Sequence, residues 1–73
     1  MKLGKYKHYK GGTVEVLSVA HHSETLEEMV VYKCMYESGN FGIGSIWVRP
    51  KKMFLENVVI EGRTIPRFEQ IND

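Results

Sequence analysis

The sequence predicts a single all-β domain, a small barrel or roll of about five short antiparallel strands with one short helical turn. Segments rich in β-branched residues recur along the chain, with turn residues between them at regular spacing. No stretch shows the apolar period of a helix of ordinary length. Because 73 residues leave room for only one hydrophobic core, we take residues 1–73 as one domain.

The two strongest strand candidates lie on either side of a polar stretch. Residues 13–20 follow the turn signal Gly11-Gly12 and are rich in valine, as strands are. Alternation places one set of side chains on one face (Val14, Val16, Ser18, Ala20) and another on the opposite face (Leu17, Val19). Residues 29–37 alternate likewise between two sets, Val30, Tyr32, Cys34, Tyr36 and Met29, Val31, Lys33, Met35. We expect both faces of this strand to be covered at least in part.

A glycine-rich loop at residues 38–42 leads into a third strand at residues 43–48. This spacing predicts an antiparallel hairpin with the preceding strand. Pro50 ends the third strand. One turn of helix is predicted over residues 51–55, and it should bury two side chains, Met53 and Phe54.

The last predicted elements are two short strands, residues 58–60 and 64–65. They flank Glu61-Gly62-Arg63, whose central glycine marks a tight connection. We expect these two strands to pair with each other.

Composition limits the class of protein. The formal net charge of +1 argues against strong nonspecific binding to nucleic acid, and 42% hydrophobic residues argue against disorder. The one cysteine, Cys34, excludes an internal disulfide and fits a reducing cytosol. There is neither an apolar signal-peptide core nor an apolar window of ~20 residues. We therefore expect a cytoplasmic protein with no contact with a membrane.

The polar stretch contains His22, Ser23, Glu24, Thr25 and Glu27. These are the residue types of a general base and a hydroxyl nucleophile. Side chains so close in sequence rarely converge as a catalytic triad. We interpret the stretch first as a connection whose side chains satisfy backbone groups, second as a binding loop, and last as a catalytic centre.

Trp47 and Arg49 share one face of the third strand by alternation. Such a pair can hold an anion or stack on a planar group. The alternative is a core Trp47, with Arg49 hydrogen-bonded to Glu24 or Glu27 so that the polar loop is held over the end of the barrel. Arg67, between a proline and a phenylalanine, can join either arrangement.

Three histidines and one cysteine suggest a metal site, since imidazole and thiolate are zinc ligands; they are His8, His21, His22 and Cys34. His21 and His22 are adjacent and point apart near a strand, and no Cys-x-x-Cys or His-x-x-x-His pair is present. We expect no metal site and no cofactor.

The N-terminal segment Lys5–Lys10 interleaves cations with aromatic rings, as surfaces that bind single strands do. Lys5, Lys7, Tyr9 and Lys10 would then contact RNA or single-stranded DNA. The competing interpretation is a strand that packs Tyr6 or Tyr9 on the barrel and leaves its lysines in solvent.

Five motifs resemble a known bacterial family. They are Gly4-x-Tyr6-x-His8-Tyr9-Lys10-Gly11, Ala20-x-His22-Ser23-Glu24-Thr25-x-Glu27, Val31-Tyr32, Trp47-x-Arg49-Pro50-x-x-Met53-Phe54 and Pro66-Arg67-Phe68. In this order, and over nearly the whole chain, they look like the domain of unknown function 1653 (DUF1653). The resemblance implies an SH3-like small β-barrel and a family without an established activity.

The leading functional hypothesis is a noncatalytic binding module for a small anionic or peptide ligand. Its shallow site would combine the polar loop, Trp47 and Arg49, with Arg67 nearby. An adaptor for RNA or single-stranded DNA is the alternative. A small hydrolase built on His22, Ser23 and Glu24 ranks third, since a chain this short rarely forms a deep pocket. The sequence leaves the oligomeric state open.

Overall fold

The computed structural model describes residues 1–37 and 41–71, and the all-β fold with one helical turn is confirmed. Within these residues there are seven strands and one short helix. They are β1 (Gly4–His8), β2 (Thr13–His21), β3 (Glu28–Cys34), β4 (Ile46–Pro50), α1 (Lys51–Phe54), β5 (Asn57–Ile60), β6 (Arg63–Pro66) and β7 (Phe68–Gln70). No helix in the described part of the chain is long and apolar enough to span a membrane.

The strands form two antiparallel sheets. Five of them follow the order β4-β3-β2-β1-β7, and β5 pairs with β6 in a separate two-stranded sheet. The strand count exceeds the predicted five partly because the short β7 adds to β1, with Phe68 opposite His8. The described ladders do not join β4 to β7, so the larger sheet has two edges and the architecture is not a closed barrel.

β3 is the central strand of the core, and its predicted faces are confirmed. Val30, Tyr32 and Cys34 are buried on the inner face. Val16 and Val14 of β2 lie opposite Tyr32 and Cys34, and both valines are buried as well. Cross-strand pairs of branched and aromatic side chains are what stabilise neighbouring strands.

A β-bulge divides β2 and makes the predicted face wrong for its second half. The register with β3 shifts between Val16 and Ser18, so Leu17 is the extra residue. Beyond the bulge, Val19 lies opposite the buried Val30 and is half-buried, whereas Ser18 and Ala20 are exposed. One inserted residue exchanges the two faces because the side-chain period of a strand is two.

Aromatic rings complete the core between the helix and the sheet. Phe54 of α1 is fully buried, and its ring stacks on Phe68 with centroids 4.1 Å apart and planes 2° apart. Tyr6 meets Phe54 edge-on at 5.4 Å. The predicted burial of Met53 is wrong, since a helix of four residues turns one side chain inward and leaves Met53 46% exposed.

Both predicted hairpins are antiparallel pairs in the structure. β3 pairs with β4, although residues 38–40 of the predicted glycine-rich loop lie outside the described residues. β5 and β6 are joined by Glu61-Gly62, with φ angles of 50° and 77°. Positive φ at both residues is the geometry of a type I′ turn, which matches the twist of the strands it joins.

Candidate functional site

The polar loop, residues 22–27, joins β2 to β3, and two of its side chains accept hydrogen bonds from the backbone of the loop itself. The His22 amide donates to the carbonyl of Glu27, and the Leu26 amide donates to the carbonyl of His22, each at 2.8 Å. His22 Nδ1 accepts the amides of Glu24 at 3.2 Å and Thr25 at 3.3 Å. The Thr25 hydroxyl accepts the amide of Glu27 at 3.2 Å. These contacts match the interpretation of the stretch as a self-satisfied connection.

Ser23 has no side-chain hydrogen bond to His22 in the described structure, and the whole loop is exposed. A hydroxyl nucleophile needs a base within hydrogen-bond reach. The geometry that a small hydrolase would require is therefore not formed by the described loop residues.

The structure does not bring the polar loop to Arg49. Within the described residues, the carboxylates in ion pairs are Glu28, 3.3 Å from Lys51 Nζ, and Glu56. Neither Glu24 nor Glu27 pairs with Arg49, so the predicted hydrogen bond is wrong. Arg49 lies opposite the buried Val30, so its side chain leaves β4 on the inner face of the sheet.

The Arg49 guanidinium instead lies over the Phe68 ring, with Cζ 5.6 Å from the ring centroid. β4 and β7 are the two edge strands of the sheet. The sheet is therefore rolled so that its edges approach each other, and a cation occupies the place where they meet.

Four basic residues gather at this place, and we call them the cationic rim: His8, Lys10, Arg49 and Arg67. His8 packs edge-on against Phe68, with centroids 4.9 Å apart. The pKa of His8 is lowered, first by burial and then by the positive charges of Arg49, Arg67 and Lys10. Its neutral form is favoured, because a charged imidazole would be poorly solvated and repelled by its neighbours.

The positive charge of the rim is incompletely compensated. Arg67 Nη2 lies 3.8 Å from a carboxylate oxygen of Glu56, and its buried Nε has no hydrogen-bond partner in the described structure. Arg49 is half-buried and, among the described side chains, has neither an ion pair nor a hydrogen bond. A guanidinium presents five donors, so most of this hydrogen-bonding capacity is unused.

Half-buried aromatic residues border the rim. Trp47 packs against the core, donates from Nε1 to the Ser45 hydroxyl at 2.8 Å, and meets Phe41 edge-on at 5.2 Å. Tyr36 lies against Gly12, where an added Cβ would overlap its ring. Burial raises the pKa of Tyr36, as does Cys34, while the charge of Arg49 lowers it. Trp47 is thus a half-buried residue that packs against the core.

The residues proposed to bind nucleic acid divide between two surfaces. Lys5 and Lys7 are exposed and alternate with Tyr6, which is buried. The Tyr6 hydroxyl donates to the carbonyl of Lys2 at 2.6 Å. Lys10 instead belongs to the rim, and its Nζ lies 5.8 Å from the centroid of the Tyr9 ring.

Two open grooves flank these features. One has a volume of about 530 Å³ and adjoins the rim; it is lined by Lys7, His8, Tyr9, Ile65, Pro66, Glu69, Gln70 and Ile71. The other, about 610 Å³, adjoins the polar loop; it is lined by Thr25, Leu26, Glu27, Glu28, Lys51, Lys52 and Leu55. Residues 1–37 and 41–71 contain no cluster of three or more metal-ligating side chains.

The structure places His8 and the Arg49 guanidinium against the same ring, Phe68, and does not pair the described polar loop with Arg49. In the sequence, His8 is one of the four residues that suggest a metal site and part of the segment Lys5–Lys10, and Tyr36 shares a strand face with Val30, Tyr32 and Cys34. The pattern of cations among aromatics over Lys5–Lys10 was the available signal for His8. In the structure, alternation turns Lys5 and Lys7 outward and Tyr6 inward.

Comparisons with known proteins point to one family. A family model described as "Protein of unknown function (DUF1653)" matches residues 4–70. A crystal structure of a DUF1653 protein from Bordetella bronchiseptica superposes with a TM-score of 0.85 at 30% sequence identity. The match covers 97% of this chain and 87% of that one. No curated protein matches the sequence.

Proposed function

This chain belongs to the DUF1653 family of proteins of unknown function, and we propose that it is a noncatalytic binding module whose cationic rim takes a small anionic ligand. The site differs from the one expected from sequence. It is centred on Arg49, Arg67 and His8, and the polar loop is not part of it.

The observation that carries this proposal is the guanidinium of Arg49, which has no ion pair and no side-chain hydrogen bond within residues 1–37 and 41–71. It is half-buried, lies 5.6 Å from the centre of the Phe68 ring, and is close enough to His8 to lower the pKa of that histidine. Gathering cations in a partly desolvated place is unfavourable unless a negative charge accompanies them. An anion bound there would satisfy the free donors of Arg49 and Arg67 by charge-assisted hydrogen bonds.

The hydrogen bonds within the polar loop favour a noncatalytic function over a hydrolase. His22 Nδ1 and the Thr25 hydroxyl accept backbone amides, so these groups are committed to the shape of the loop. Cys34 is the sole thiol of the chain and is buried. A buried free thiol supports placing the module in a reducing cytoplasm, and the Bordetella relative supports a bacterial source.

A second candidate function is an adaptor for RNA or single-stranded DNA. Lys10 lies 5.8 Å from the centre of the Tyr9 ring, and Tyr9 stacks at an angle on His8, with ring centroids 4.6 Å apart. This is the mixture of rings and cations on which single strands bind. Against it stands the net charge of +1. Of the two exposed lysines of β1, Lys7 lines the groove that His8 and Tyr9 also line, whereas Lys5 does not.

The test is a thermal-unfolding titration with inorganic phosphate at low ionic strength. We expect phosphate to raise the Tm of the wild type by mass action and to have little effect on Arg49→Gln. Arg63→Gln, which removes an exposed arginine of β6, is the matched control and should respond as the wild type does. Sodium chloride at equal ionic strength measures the general salt effect. Equal phosphate shifts in all three proteins would contradict the proposal.

A further inference from the structure

The rim offers aromatic rings as well as cations, and a simple anion would use only the cations. Trp47 and Arg49 alternate on the inner face of β4, so their Cα atoms are roughly 7 Å apart. Trp47 is held in place by the Ser45 hydroxyl and by Phe41. The Trp47 ring is thus held in place and half-buried. On the inner face of β4, its neighbour is Arg49, whose guanidinium has no ion pair among the described residues.

Rings also border the rim on its other sides. Tyr36 packs against the core, and its ring is positioned against Gly12. Tyr9 is half-buried between His8 and Lys10. Trp47, Tyr36 and Tyr9 are therefore three half-buried rings, and an aromatic face that is still accessible can stack on a planar ligand.

We infer that the ligand combines a planar ring with an anionic group, the chemistry of a nucleoside monophosphate, with the ring on Trp47 or Tyr36 and the phosphate on Arg49 and Arg67. This inference rests on the proposed function. Arginine binds phosphate through two parallel hydrogen bonds, and aromatic side chains stack on the faces of bases. A ribose spans the short distance between neighbouring residues on one face of a strand.

A free nucleotide and a nucleotide within a single strand share this chemistry, and both are compatible with the site. Phosphate contacts position a nucleic acid without reading its sequence, while stacking tolerates any base. The two sources differ in length, so affinity for an oligonucleotide distinguishes them.

The experiment uses Trp47, the only tryptophan of the chain, as an intrinsic fluorescent probe. Wild-type protein is titrated with inorganic phosphate, ribose 5-phosphate, adenosine 5′-monophosphate, uridine 5′-monophosphate and a six-residue oligonucleotide. We expect the mononucleotides to bind at least about tenfold more tightly than ribose 5-phosphate, because stacking is added to the same phosphate contacts. Quenching of Trp47 fluorescence should accompany the base and not the sugar phosphate.

Variants assign the two halves of the ligand, with affinities measured by calorimetry. Tyr36→Leu and Trp47→Leu remove one ring each, and loss of discrimination between nucleotide and ribose 5-phosphate in either one identifies the stacking ring. Arg49→Gln should weaken both ligands alike. Arg63→Gln should change neither.

The outcomes separate this inference from the proposed function. If ribose 5-phosphate binds as tightly as the mononucleotides, the inference is overturned and the anion site stands. If neither phosphate nor any nucleotide binds, both are overturned. A hexanucleotide that binds much more tightly than the mononucleotide, with affinity that falls steeply with salt, supports the same chemistry with a single strand as its source.

Discussion

Arg49 of β4 lies over Phe68 of β7, with 5.6 Å between the guanidinium carbon and the ring centroid. This contact joins the two edge strands of the five-stranded sheet, which no described backbone ladder connects. Side chains therefore close the roll. The closing residue is charged and unpaired in the described structure, so one position serves both the fold and the candidate site.

The contacts of Arg49 predict which double-mutant cycles show coupling. In urea unfolding, Arg49→Ala combined with Glu24→Gln or Glu27→Gln should be additive to within about 0.5 kcal/mol, because those carboxylates do not contact the arginine. Arg49→Ala combined with Phe68→Leu should show a coupling of about 0.5–1 kcal/mol from the cation–π contact. A coupling of more than ~1 kcal/mol between Arg49 and either glutamate would contradict the structure.

Phe54 and Met53 are neighbours on α1, but replacing them by alanine should change the free energy of unfolding by very different amounts. Phe54 is fully buried and stacked on Phe68, so Phe54→Ala should cost about 3–5 kcal/mol, which is most of the stability of a domain this small. Met53→Ala, at an exposed position, should change the free energy of unfolding by less than about 0.5 kcal/mol. Chemical denaturation followed by circular dichroism measures both. Similar losses would mean that both side chains are buried.

Gly12 should tolerate no side chain while Tyr36 is present. A Cβ at Gly12 would overlap the Tyr36 ring, so we expect Gly12→Ala to cost about 1–3 kcal/mol and to displace the ring from the rim. In a Tyr36→Ala background the same change should cost less than about 1 kcal/mol. Gly42→Ala, where a Cβ would meet nothing within 4 Å, is the matched control. Equal costs of Gly12→Ala in both backgrounds would exclude this packing.

His8 should titrate below its ordinary pKa of 6.5, and an anion should reverse part of the shift. The unfolded chain then binds the proton more readily than the folded one. The contribution of His8 to stability is accordingly complete above about pH 6.5 and decreases as the pH falls towards the folded pKa. Proton NMR titration of the imidazole gives the value directly. Arg49→Gln should raise the pKa of His8, as should bound phosphate; no change in either case would contradict the cationic rim.

One substitution in the turn between β5 and β6 should increase the stability of the protein. Glu61 has a φ of 50° at the first position of the type I′ turn, where asparagine is favoured over glutamate. Glu61→Asn should therefore raise the free energy of unfolding by roughly 0.5–1 kcal/mol, measured by urea denaturation. Glu61→Gln is the control that removes the charge and keeps the strain. Equal effects of the two changes would assign the gain to charge instead of backbone conformation.

The alternation of residues along the sequence was sufficient to predict which side chains share a face in strands whose two faces have different surroundings. Alternation over residues 29–37 placed Val30, Tyr32 and Cys34 on one face, because side chains alternate along a strand, and the structure shows that this face is the buried one. The same rule failed in β2 after Leu17. A bulge inserts one residue without a composition signal, and its position is set by pairing with β3.

The candidate site depended more strongly on tertiary structure. Trp47 and Arg49 were placed on one face from sequence, since both lie in one strand. Arg67 was expected near them from sequence, but the position of His8 was not, because its ring and the Arg49 guanidinium come close only by lying against the same side chain, Phe68.

The sequence by itself determined the all-β class, the two hairpins, the division of the β3 side chains between two faces and the family motifs, all of which depend on residues close together in the chain. Tertiary structure alone decided that β7 joins β1, that β4 and β7 meet through Arg49 and Phe68, and that the polar loop lies apart from the arginine. The physical reason is the range of the interactions. Strand period and turn geometry act over a few residues, whereas the direction of a long side chain is set by whichever ring or charge the folded chain brings within reach.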